Sequence, residues 1–503
     1  MAGTARRLVA VDLGAESGRV ICADLSDRRV TLDVVSRFET RSVRLHDGLH
    51  WDLAGIFGAI LQGLAVAARD GAPDGIGIDS WGVDYALLDG GGRMLGMPYH
   101  YRDARTGAEV LERTFALVSR QELYQRTGIQ TMAINTIFQL MAEPRTPAFE
   151  AARRIALIPD LLGLWLTGEL LNESTIASTS GLLDARRGAW AHDLISRLGL
   201  PQAPFAGQLT EPGARLGSVL TEHADRAGAA AGSPVWVVAA HDTASAFVAA
   251  PLRDEDSLVL SSGTWSLLGL EIEEPCLSAQ AAAFNLTNER GIDGRIRLLR
   301  NVMGLWLLQE CRREWRAAGS DYDYQELQRL AAAAPAQVAL FDPDGDELLR
   351  GGGMTARIEA ACVAAGQRPA AGVGELVRSI LVSLACKYRL VLERLQHVSG
   401  RDVRVIHAVG GGVRNQLLCQ LTADLTGLPV LAGPEEATAM GNVLVQSRAL
   451  GELSSLTEMR ELAARSTELR RYEPRGGRRD DETFERFLAA TGLQAQPAAG
   501  VAA

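Results

Sequence analysis

A chain of 503 residues exceeds one ordinary hydrophobic core, so two or more domains are expected. Its composition, 47% apolar and 22% charged, excludes disordered and fibrous classes. A formal net charge of -10 leaves no basic footprint for DNA or RNA, and an anionic ligand would need local positive charge, backbone amides or a metal to offset the overall field.

The six cysteines are scattered, without a Cys-x-x-Cys pair, and read as isolated thiols in a reducing cytoplasm. The N-terminal segment lacks a signal-peptide core, because its apolar run ends at Asp12. No stretch reaches the ~20 apolar residues of a membrane span. A soluble cytoplasmic protein with no membrane partner is expected.

In chain order, the first predicted strand is "RLVAVDLG", ending in Asp12 and turning through Gly14-Ala15-Glu16-Ser17-Gly18 into a second apolar strand. Tight turns of small residues leave backbone N–H groups exposed, and such concavities bind anions. A carboxylate opening such a turn suits Mg2+, directly or through water, so Asp12 is the candidate metal ligand. Arg19, in the outgoing strand, either assists or stands at the surface. Next, Asp79 and Asp84 bracket Trp81-Gly82-Val83 in "GIDSWGVD". An aromatic ring, a close-approach glycine and a carboxylate that accepts hydroxyls suit a polyol.

Strands and helical patterns alternate onward, which reads as α/β. The predicted strand "PVWVVAA" leads into His241-Asp242-Thr243, and a domain boundary is expected near 245–255. A second strand–turn–strand follows, with Ser261-Ser262-Gly263-Thr264 at its turn. Its likeness to the first hairpin points to duplicated domains facing each other across a cleft. Two glycine hairpins also arise without duplication in α/β chains of this size, so form alone leaves both origins open.

The chain has a single lysine, Lys387, inside an amphipathic helical pattern with Leu376, Ile380, Leu384, Val391 and Leu395 on one stripe. No P-loop lysine or kinase-type strand lysine exists. A nucleotide must therefore be held by backbone N–H groups, hydroxyls, Mg2+ or arginine. The strand "VRVIHAV" then enters Gly410-Gly411-Gly412, a turn that lets a ligand meet a helix N-terminus.

Phosphoryl transfer to an alcohol needs in-line geometry, charge neutralisation and an acceptor for the hydroxyl proton. Asp242 is the candidate base; His241 is an alternative base or a hydrogen-bond donor to substrate.

These segments, with "YRDART", "GIQTMAINTIFQL", "LIPDLLGLWLTGE", "FNLTNERGIDGRIRLLRNVMGLWLLQE" and "VGGGVRNQLLCQLTADLTGLPVLAGPEEATAMGN", resemble the FGGY family of carbohydrate kinases from about residue 9 to 450. The resemblance implies an α/β fold of two actin-like ATPase (ribonuclease-H-like) domains flanking a central cleft. The expected limits are 1–248 for the sugar-binding domain with the first phosphate turn, 249–480 for the ATP-binding domain, and 481–503 for a flexible tail. It implies ATP with Mg2+ as donor and a ketose as acceptor, L-rhamnulose phosphorylated at its 1-hydroxyl in L-rhamnose catabolism. Asp242 would accept the proton. Gly82, His241, Asp242, Thr243 and Asn301 would contact sugar, joined by Asp84 from the polyol reading. Ala15, Glu16, Ser17, Gly18, Arg19, Thr264, Gln309 and the Gly410–Gly412 turn, Gly411 above all, would contact ATP.

One departure stands out: Glu16 occupies a position where a small hydroxyl residue is expected, and an anion there repels ATP unless it points to solvent or to Mg2+. Alternatives are a kinase for another ketose or polyol such as L-fuculose, or a non-catalytic regulator binding ATP and sugar; a structural polymer would leave the Trp81-Gly82 and His241–Thr243 segments without a job. A monomer or homodimer is expected.

Overall fold

The computed structural model describes residues 6–252 and 254–494. The N-terminal lobe is built on a six-stranded sheet. Its strands are β1 (Arg6–Leu13), β2 (Ser17–Ser26), β3 (Arg29–Glu39), β4 (Gly75–Ser80), β5 (Arg215–Ser218) and β6 (Pro234–Trp236), in the order β5-β6-β4-β1-β2-β3. β1 is antiparallel to β2 and parallel to β4. The run Leu8–Leu13 is buried throughout, as an apolar central strand covered on both faces must be.

The C-terminal lobe carries seven strands: β7 (Ser257–Ser262), β8 (Trp265–Ile272), β9 (Thr287–Arg290), β10 (Ile296–Met303), β11 (Val405–Val409), β12 (Val430–Ala432) and β13 (Arg470–Tyr472). Their order is β9-β10-β8-β7-β11-β12-β13. β7 is antiparallel to β8 and parallel to β11. The two sheets share one plan: a leading hairpin, a third antiparallel strand beyond it, and parallel strands added on the other side of the first strand. β9 is the C-terminal lobe's addition. Both leading hairpins are the glycine turns singled out in the sequence, and the shared plan favours duplication over coincidence.

The helices that matter for the site are α1 (Leu53–Ala67), α2 (Asp242–Ala249), α3 (Trp306–Ala317), α4 (Val373–Ser399), α5 (Gln416–Thr426), α6 (Ala437–Ala449) and α7 (Arg478–Thr491). The stripe Leu376, Ile380, Leu384, Val391 and Leu395 lies buried along α4. Lys387 is buried there too, its Nζ 2.7 Å from Asp342 and 3.1 Å from Asp344, a structural pairing outside the cleft.

The lobes are joined by more than a linker. α6 packs on α2, and its Gln446 donates to the Val9 carbonyl at 3.0 Å. One apolar core runs through Ala10, Phe247, Val259 and Val443, taking residues from both halves of the chain. The expected flexible tail from 481 is corrected: α7 is helical to Thr491, because Phe484 and Phe487 supply the apolar face that anchors it to the C-terminal core. The last part of the expected tail, 495–503, lies outside the described residues.

Candidate active site

A cavity of about 220 Å³ lies where the carboxyl ends of β1 and β4 and the N-terminus of α2 meet the β7–β8 turn and the Gly410 turn. The carboxyl ends of parallel strands are where an α/β sheet leaves an open crevice. Strand register sets the first two carboxylates side by side, since Asp12 of β1 pairs with Asp79 of β4.

Asp242 opens α2, whose N-terminal dipole favours an anion there. Its Oδ1 accepts from the Thr243 backbone N–H at 2.5 Å and from Thr243 Oγ1 at 3.0 Å. Burial nevertheless raises its carboxyl above the ordinary value. Asp12 is pushed up to about 6, by burial first and by the charges of Asp242 and Glu436, against the pull of Arg19. Asp79 is raised well above its usual range by burial and by Asp12; its Oδ2 accepts from Asn442 of α6 at 2.5 Å, while Oδ1 has no hydrogen-bond partner. Arg19 sits 3.6 Å from Asp12 and is also paired with Glu436, so it bridges the lobes.

Trp81 and Gly82 form the opposite wall. The turn is pinned at Val83, which holds φ at 69°, a strained value for a β-branched residue. Its N–H donates to Thr179 Oγ1 at 3.0 Å and its carbonyl accepts from Thr136 Oγ1 at 2.6 Å. Asp84 fixes the rings behind: Oδ2 accepts from Trp51 Nε1 at 2.6 Å and Trp81 Nε1 at 3.0 Å, and Oδ1 from Gln139 Nε2 at 2.8 Å.

The first glycine turn closes through Gly14 N–H to the Ser17 carbonyl at 3.1 Å, with Thr40 Oγ1 donating to the Gly14 carbonyl at 2.9 Å. Across the cleft, Gly410 takes φ 85°, and a Cβ on Gly412 would fall 2.0 Å from Ser262 Oγ, so only glycine lets this turn seat against the β7–β8 hairpin. Glu16 does not point at open solvent. It is ion-paired with Arg313 of α3 in the other lobe, and Arg313 is also paired with Glu310.

Models of the FGGY family of carbohydrate kinases match the chain twice, the N-terminal domain over residues 7–249 and the C-terminal domain over 258–450. The chain belongs to this family. It is 41% identical to the rhamnulokinase of Bacteroides thetaiotaomicron over 469 residues, 92% of this chain and 95% of that protein. It is 40% identical to the rhamnulokinase of Pectobacterium carotovorum over 497 residues, 98% of each. Among solved structures, gluconate kinase from Lactobacillus acidophilus matches with a TM-score of 0.77 at 17% identity, over 97% of this chain and 99% of that one. Plasmodium falciparum glycerol kinase with ADP matches at 0.73 and 16% identity, over 97% and 99%. The shared fold is the expected pair of actin-like lobes around a cleft.

In this FGGY kinase, Asp12, Ala15, Glu16, Ser17, Arg19, Gly82, His241, Asp242, Thr243, Thr264, Asn301 and Gly411 all line the one cavity. Four of the expected site residues do not; Gly412 is one, buried against Ser262. Gly18 faces the lobe interior, where a Cβ would fall 2.4 Å from the Phe38 ring. Asp84 is 1% exposed, and its carboxylate is occupied by ring and amide donors, so it orients Trp81 instead of meeting a hydroxyl. Gln309 lies on α3 with its Oε1 buried and unpartnered.

Sequence reasoning missed Glu289 and Gln130, which also line the cavity, and Arg297 behind them. Gln130 Oε1 accepts from the Asn301 N–H at 2.9 Å and so ties the N-terminal lobe to β10 of the C-terminal lobe at the cavity. Glu289 is lowered to about 2: burial opposes this, and the largest pull against it is the Arg297 guanidinium. For Glu289 and Arg297 the only signal was charge inside strand-like runs, "LTNER" and "RIRLL"; Gln130, uncharged and in a loop, carried none.

Proposed function

We propose that this FGGY kinase transfers the γ-phosphoryl group of ATP to the 1-hydroxyl of L-rhamnulose, acting in the cytoplasm. The observation that carries this reading is a single cavity lined on one side by two glycine turns from opposite lobes and on the other by Trp81, Gly82 and His241–Thr243. The choice of ketose is supported by relatives about 40% identical over nearly the whole chain that are named rhamnulokinase.

Asp242 accepts the proton of the 1-hydroxyl as that oxygen bonds to the γ-phosphorus and the bond from that phosphorus to the ADP oxygen breaks. Because the transition state is loose, the proton leaves late, and a well-placed carboxylate suffices as base. Ala15 to Ser17, Thr264 and Gly410–Gly411 hold the phosphates through N–H and hydroxyl groups, which is how a chain without a usable lysine does it. Asn301, Gly82 and Thr243 orient the ketose, and His241 lines the same wall beside Asp242.

Asp12 fits Mg2+. It is a cavity-facing oxygen donor, and among the described residues no group of three or more His, Cys, Asp or Glu could hold a metal alone. Mg2+ is commonly held by one or two carboxylates together with substrate phosphates. When bound it neutralises charge developing on the phosphates.

With Mg-ATP in a coupled ADP assay, L-rhamnulose is expected to turn over faster than L-fuculose, L-ribulose, D-xylulose or glycerol. A flat profile across the panel, or ADP release indifferent to sugar, overturns the reading.

A further inference from the structure

Beneath the base lies a charged cluster that the reaction as described does not use. Arg297 of β10 is fully buried, with its guanidinium 5.7 Å from the Phe247 ring of α2. Burying a guanidinium is costly unless its donors are engaged; here Nε and one terminal nitrogen are, and the other terminal nitrogen has no hydrogen-bond partner. Its Nε donates to the Arg290 carbonyl at 3.1 Å, and one terminal nitrogen lies 3.2 Å from Glu289 Oε2. The same nitrogen stands 3.0 Å from His241 Nδ1 in hydrogen-bonding geometry.

That contact settles which ring nitrogen carries the proton. Guanidinium has donors only, so Nδ1 must present its lone pair. Glu289 Oε2 also approaches Nδ1, at 3.3 Å, and would select the opposite tautomer, but this oxygen has no hydrogen bond in acceptable geometry. The donor geometry of Arg297 thus puts the ring proton of His241 on Nε2, which lies 3.4 Å from Asp242 Oδ1, close to it but outside hydrogen-bonding geometry in the unliganded chain. Contacts of this kind tighten when substrate closes the site.

We propose that Arg297 is a positioning residue for the base: it holds His241 as the Nε2–H tautomer, whose N–H, with the Thr243 N–H and hydroxyl, saturates Asp242 Oδ1 and leaves Oδ2 as the oxygen that accepts the substrate's proton. The inference rests on the kinase reading in taking Asp242 as base. It adds which oxygen acts and which buried residue decides it. Arg297 touches neither substrate; it acts through a ring whose partner on the far side is the base.

The test is made on the full chain labelled with 15N-histidine, with His241 assigned by its loss in His241→Asn. Long-range 1H–15N spectra of the unliganded wild type are expected to show a protonated Nε2 and an unprotonated Nδ1. In Arg297→Met the tautomer is expected to reverse toward Glu289. Its kcat is expected to fall by up to about 100-fold, as for a misplaced reactive group, while KM for the ketose stays within about threefold. Arg297→Lys, which can still donate, is expected to keep the wild-type spectrum and recover most of kcat. A protonated Nδ1 in the wild type overturns the inference, as does a folded Arg297→Met protein with unchanged tautomer and kcat. If Arg297→Met does not fold, the wild-type spectrum decides alone. If the spectrum is as expected but no ketose is phosphorylated, the kinase reading fails and the tautomer assignment stands.

Discussion

Asp242, half-buried at a helix start, and Asp84, buried just before a strand, are both carboxylates at element ends, yet their surroundings assign them different work. Asp242 keeps one side toward the cavity, whereas Asp84 spends both oxygens on indole and amide donors. Asp242→Asn is expected to lower kcat by roughly 10²- to 10⁴-fold while the KM for ketose changes little, the loss typical of removing a general base; steady-state kinetics with the coupled assay measure it. For Asp84, burial lifts the carboxyl to about 6, above an ordinary value near 4. The folded state then holds the proton more tightly than the unfolded chain. Its stabilising contribution is fully present below about pH 4 and is lost as pH rises through about 6, at about 1.4 kcal/mol per unit within that window. Asp84→Asn removes this dependence, so the wild-type Tm is expected to fall relative to the variant between pH 4 and 6.5 in parallel thermal melts. The residue types at the site were readable in advance, because strand-end aspartates beside small-residue turns are visible in one dimension. Which carboxylate faces the ligand was not, because Asp84's donors come from Trp51, Tyr101 and Gln139, remote in sequence.

α2 shows how one element transmits packing to chemistry. It crosses α6 so closely that a Cβ on Gly441 would lie 1.8 Å from the Ser245 carbonyl oxygen. Gly441→Ala must push α2 away, and with it the first turn that carries Asp242. A loss of about 1–3 kcal/mol, typical of overpacking, is expected in denaturant unfolding, together with reduced kcat. The apolar stripe of α4 and the continuous apolar run of β1 were legible because periodicity reports burial directly. α7 was not. Its two phenylalanines sit in a polar, arginine-rich stretch, and only the groove on the C-terminal lobe gives them a place to bury.

At the scale of the whole molecule, the lobes meet across charges as well as apolar core. Glu16 is neutralised by Arg313, and the guanidinium of Arg102 lies 3.8 Å from the Trp306 ring across the same gap. With ATP held at the first glycine turn as proposed, removing Arg313 would leave an unpaired anion there, so Arg313→Ala is expected to raise the KM for ATP. Glu16→Ser is expected to raise it less or not at all, and the double variant to be restored toward Glu16→Ser. A double-mutant cycle on the KM for ATP at low and high salt reads the coupling, which salt should weaken because both side chains are partly exposed.

The amino-acid order by itself determined the α/β class, the repeated glycine hairpins, the family and the set of groups able to carry out phosphoryl transfer without lysine, because periodicity, turn residues and motif spacing are local properties. Only the tertiary structure decided that Glu16 is answered by Arg313, that Asp84 serves the rings, and that Glu289 and Arg297 stand behind His241. Those are contacts between residues far apart along the chain, and they exist only once two lobes have closed on one cavity.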